Sequence, residues 1–82
     1  MRYEIILRNA EFNHILELAK QHNFADRLFE IFTCRDDIGD FITFFKCDKD
    51  TIEKIMYFLS EGYLKNKLQQ KIDFWIMAGL WK

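Results

Sequence analysis

The sequence predicts a small α+β domain, on three observations. Residues 2–8 alternate apolar and polar side chains. Two later runs, Leu28 to Cys34 and Phe41 to Cys47, are dense in aromatic and β-branched residues. Two other stretches carry apolar residues at helical spacing. The implied order is β-α-β-β-α followed by a last element that reads as either helix or strand. With 82 residues this is one domain, 1–82.

Tyr3, Ile5 and Leu7 fall on one face of the first strand, and Arg2, Glu4, Ile6 and Arg8 on the other. That is the period of a half-buried strand. Asn9 suits a helix N-cap, since its side-chain oxygen can accept a free N–H. Phe12, Ile15, Leu16 and Ala19 form the stripe behind it. The helix should stop near His22-Asn23, because Asn tolerates the left-handed conformation.

LFEIFTC (28–34) and FITFFKC (41–47) flank Arg35-Asp36-Asp37-Ile38-Gly39-Asp40, a turn-rich stretch with one Gly. Together they predict a β-hairpin, with Cys34 opposite Phe41. The helical alternative rests on Ile38, Phe41, Ile42 and Phe45, which also match i, i+3, i+4, i+7. In the hairpin register one face holds Leu28, Phe32, Cys34, Phe41, Phe45 and Cys47, and the other Phe29, Ile31, Ile42 and Phe44. Neither face alternates with polar residues. A sheet with one wet face should alternate, so both faces call for a cover.

Asp50-Thr51-Ile52-Glu53 reads as a capping box. Ile52, Ile55, Met56 and Leu59 form the second helix stripe, and Gly62 sits where a left-handed C-cap belongs. Beyond it, Leu64, Leu68, Ile72, Trp75, Ile76 and Leu80 fit a helix. Residues 73–78 also alternate like a strand. A final strand would complete the split βαβ, ferredoxin-like arrangement; a final helix would put three helices on a three-stranded sheet.

Half the chain is apolar and 17% is aromatic, which excludes a disordered tail. The formal charge of −1 excludes a generally basic nucleic-acid coat. Charged residues at the N-terminus argue against a signal peptide, and the longest uncharged run, Phe74 to Trp81, is far short of a membrane span. The expected location is cytoplasmic, with no membrane partner. Cys34 and Cys47 lie six residue steps apart in the hairpin, roughly 20 Å, so both should stay free thiols.

No catalytic signature stands out. Ser60 has no nearby His, and nothing matches a nucleophile elbow or a phosphate loop. Cys34, Cys47, His14 and His22 lack the local pairing of zinc ligands. Asp36, Asp37 and Asp40 match no calcium loop and suit a turn. No cofactor and no metal is expected.

Two family resemblances bear on function. Ile5-Ile6-Leu7-Arg8-Asn9-Ala10 and Phe41-Ile42-Thr43-Phe44 resemble the two strand motifs of the RNA-recognition motif. That resemblance implies a sheet whose exposed rings stack on bases. Here Ile6 stands where a ring is expected, and Asp37 and Asp40 stand before Phe41 in place of basic and small residues. Ile38 to Leu64 resembles the helix-turn-helix and wing of winged-helix proteins, with Thr51-Ile52 opening the recognition helix. That helix would offer Glu53, Lys54, Tyr57 and Glu61 to a DNA groove, where Arg, Lys, Asn or Gln is usual.

The C-terminal aromatics remain. Phe74, Trp75, Met77 and Trp81 read as a partner-binding anchor, because interface hot spots favour Trp and Tyr. The expectation is a small interaction module (regulator, inhibitor or accessory subunit) that is not an enzyme. It would bind another protein, or itself as a micromolar homodimer through Trp75 or Trp81. The competing expectation is a nucleic-acid-binding domain.

Overall fold

The computed structural model describes residues 1–82. β1, Arg2–Arg8, keeps its alternation: Tyr3, Ile5 and Leu7 are buried and the residues between them exposed. The strand runs directly into α1, Asn9–Gln21. Asn9 is therefore inside the helix and not its cap. The Arg8 N–H donates to Glu11 Oε1 at 3.0 Å, and Asn9 Oδ1 accepts from the Thr43 hydroxyl at 2.9 Å. Phe12, Ile15 and Ala19 face the core as expected, while Leu18 is buried and Leu16 only half-buried. α1 ends as expected, with Asn23 at φ 62°.

Phe24 and Leu28 anchor a 3₁₀ turn, Ala25–Arg27, under the core. β2, Phe29–Arg35, and β3, Phe41–Asp48, form the antiparallel hairpin. The helical alternative for 38–45 falls, and the winged helix with it. Asp36 builds the turn: its Oδ1 accepts the N–H of Ile38 at 3.1 Å and of Asp40 at 2.9 Å. Gly39 takes φ 88°, which costs glycine nothing.

The hairpin register differs from the expected one. Arg35 lies opposite Phe41 and Cys34 opposite Ile42. Glu30, at φ 52°, sits in a bulge between Phe29 and Phe32. The expected register survives only beyond it, at Phe29 opposite Lys46. A one-residue slip swaps the faces. Phe45 and Cys47 therefore point into the core, and Cys34 and Phe32 point away from it.

α2, Lys49–Phe58, is capped two residues before the expected cap Asp50, at Asp48. β3 feeds straight into it, and Asp48, still extended, accepts the Thr51 N–H at 2.9 Å. Hydrogen bonding from Thr51 holds the Asp48 carboxyl below the usual carboxylate range. The Thr51 hydroxyl itself reaches no hydrogen-bond partner, so the backbone contact carries the cap. Ile52, Ile55 and Leu59 are buried as the stripe predicts. Gly62 is not a C-cap: α2 stops at Leu59, and the Gly62 carbonyl opens α3 by accepting from Asn66.

α3, Tyr63–Met77, settles the open element as a helix. Its Leu, Lys, Gln and Met are helix formers, and its apolar stripe outlasts the short alternation at 73–78. The sheet has three strands in the order β1-β3-β2, with β3 antiparallel to both neighbours. This is the split βαβ arrangement without its fourth strand. Leu68 and Ile72 join the core that α1 and α2 share with Tyr3, Ile5, Leu7 and Phe45. All three helices thus lie on one side of the sheet. The C-terminal segment does not cover the other side. Both cysteines are free, Cys47 in the core and Cys34 on the opposite face, not on one face as the expected register placed them.

Candidate protein-contact face

The uncovered face is built by the side chains that alternation turns away from the helices. Arg2, Glu4, Ile6 and Arg8 come from β1, Ile42, Phe44 and Lys46 from β3, and Phe32 and Cys34 from β2. Ile6 pairs with Phe44 and Phe44 with Phe32, so one row across all three strands is apolar. Ile42 and Cys34 widen it on one side. Phe32 is 61% exposed and Ile6 41%. The Phe32 and Phe44 rings meet at 6.3 Å.

Charges close both ends of the stripe. On one side Glu30 lies 3.5 Å from Lys46 and 3.9 Å from Arg2, and the Arg2 guanidinium sits 3.7 Å above the Phe29 ring. On the other side Arg8 meets Asp40 at 3.1 Å. Cations and anions balance, so the face carries no phosphate footprint. A shallow depression of about 330 Å³ lies between Glu4, Glu30, Phe32, Cys34, Phe44 and Lys46.

The four residues expected to anchor a partner separate into two pairs. Trp75 and Trp81 are half-buried against the core. They stack on each other at 5.9 Å and both pack against the Tyr3 ring, at 4.7 and 5.2 Å. The Tyr3 hydroxyl donates to the Leu80 carbonyl and accepts the Lys82 N–H. These two Trp are a clamp that fastens the C-terminal tail to β1. Phe74 and Met77 are exposed on α3, at 66% and 88%. Sequence reasoning missed Ile6 as a site residue. The signal was present: it is the one apolar side chain on the polar face of β1.

No three His, Cys, Asp or Glu side chains converge. Burial pushes the Cys47 thiol up to about 12, with Asp48 adding to the effect, which makes it a poor nucleophile. Glu11 is raised by burial, but the hydrogen bond from Lys67 and the Arg8 N–H outweigh this and hold it low. It serves as a cap and as the tie between α1 and α3, with Lys67 at 2.9 Å. No helix is long and apolar enough to cross a membrane. Among known proteins, no family model, no curated sequence and no solved structure matches the chain.

Proposed function

We propose that the protein acts by direct contact with another protein, in the cytoplasm, as a small regulator, inhibitor or accessory subunit and not as an enzyme. The observation that carries this reading is the uncovered sheet face, with an apolar row from Ile6 through Phe44 to Phe32. A three-stranded face of this length measures about 250 Å². A stable interface takes about 800 Å² from each partner. The stripe alone therefore supports a transient contact, or the centre of a larger one. The same arithmetic makes self-association weaker than a micromolar homodimer. The contact also shifts from Trp75 and Trp81 to the sheet.

A second reading, binding of single-stranded nucleic acid, has one specific support. Phe32 and Phe44 share a face with Arg2, Arg8 and Lys46, on a sheet of order β1-β3-β2. Against it stand Glu4, Glu30 and Asp40 on the same face and its rim. The two readings separate in one titration series. A uridine dodecamer should not bind at 50 or 200 mM salt. An apolar dye should bind the wild type and lose most of its signal in the Phe32→Ser, Phe44→Ser double variant. Oligonucleotide binding that weakens steeply between those salts would move the face to RNA.

A further inference from the structure

We infer that the outer edge of β1, with α3 as its opposite wall, accepts an extended acidic segment of a partner protein as a fourth, added strand. This extends the protein-contact reading from the sheet face to the neighbouring edge, and it is tested separately from that reading. β1 pairs with β3 alone, so one side of its backbone ladder is free. The Arg8 N–H is directed at Glu11 and not at β3. In an antiparallel ladder, inward and outward groups alternate every second residue. The outward groups of β1 are then those of Arg2, Glu4 and Ile6.

α3 runs antiparallel to β1. Lys67 contacts Glu11 just past the end of β1, and Trp75 contacts Tyr3 at its start. Between strand and helix lies a cleft of about 440 Å³, lined by Glu4 on one wall and by Lys67, Gln70, Lys71, Phe74 and Trp75 on the other. A second copy of the whole domain would meet α3 before its strand reached β1. A single extended segment needs only the spacing of one added strand, about 4.8 Å.

Charge selects the segment. Lys67 already holds Glu11 at 2.9 Å. Glu4 lies opposite Lys46 in the sheet register, but Lys46 pairs with Glu30, so the Glu4 carboxylate stays unpaired on the strand-side wall. Lys71 has no carboxylate within salt-bridge reach. Burial first, and Lys67 beside it, lower its proton affinity, and Glu11 offsets this only in part. A carboxylate on the added strand supplies the rest. Phe74 and Trp75 offer apolar contact to the side chains between. Strand addition of this kind takes its affinity from main-chain hydrogen bonds and its specificity from such alternate contacts.

The test uses a seven-residue peptide of alternating glutamate and isoleucine, titrated into the isotopically labelled full chain. The expected result is amide shifts at Glu4 and Ile6 and an indole shift at Trp75. Affinity should drop at least tenfold in Lys71→Glu, and at least tenfold for a peptide with lysine in place of glutamate. A peptide N-methylated at alternate amides should not bind, which probes the ladder without altering the protein. Phe32→Ser should leave peptide affinity unchanged. The inference is overturned if millimolar glutamate peptide shifts neither Glu4 nor Ile6. It is also overturned if the N-methylated peptide binds equally, or if Phe32→Ser abolishes binding and so places the peptide on the sheet face.

Discussion

Phe45→Ala should cost about 3–5 kcal/mol, the range for truncating a large core ring. Phe45 is completely buried, opposite Ile5 on β1, with the Phe12 ring 5.0 Å away. A chain of this size has roughly 4–12 kcal/mol of total stability. The variant should therefore lose most of its urea resistance or fail to fold cooperatively. Its neighbour Phe44 provides the contrast. Phe44 faces the uncovered side and is only half-buried, so Phe44→Ala should cost less, about 1–2 kcal/mol, because part of the ring already meets water. Urea unfolding followed by far-UV circular dichroism measures both. Equal costs would contradict the assignment of one covered and one open face.

Tyr3→Ala should cost about 3 kcal/mol or more, again as a buried ring truncated. Its effect reaches further than its own cavity. The ring packs against both Trp75 and Trp81, and its hydroxyl holds both the Leu80 carbonyl and the Lys82 N–H. Removing it releases the tail, so tryptophan emission should move to the red as both indoles meet water. Tyr3→Phe keeps the ring and should lose only about 1 kcal/mol, the net worth of ordinary hydrogen bonds. An emission spectrum unchanged in Tyr3→Ala would show that the tail is held by something other than this clamp.

Much of the architecture was legible in the residues. β1 was readable because Tyr3, Ile5 and Leu7 alternate with mostly charged residues, and the hairpin because helix formers are scarce in its two runs. The element boundaries were harder. At Asn9 and Asp50 good capping residues were visible, yet both strands pass into their helices without a loop, which moves each start one or two residues earlier. The faces of the hairpin were misassigned for a local reason. The bulge at Glu30 absorbs one residue, and a non-glycine left-handed residue leaves no mark in composition. The C-terminal aromatics illustrate a different limit. Trp75 and Trp81 have the composition of a hot spot, but half-burial against Tyr3 is a tertiary fact that spacing does not carry.

The open face owes its character to the same geometry. α1, α2 and α3 are all drawn to one side because Tyr3, Ile5, Leu7, Phe45 and Cys47 gather there. Ile6, Phe44 and Phe32 are left opposite, with no fourth helix to cover them.

Photo-crosslinking in the cells that make this protein tests the contact on that face most directly. A benzophenone side chain replaces Phe32 on the face or, as the control, Tyr57, which is 81% exposed on α2. A protease-sensitive crosslink to another polypeptide is expected from position 32 and none from position 57. A nuclease-sensitive adduct at position 32, or polypeptide adducts from position 57 alone, would contradict it.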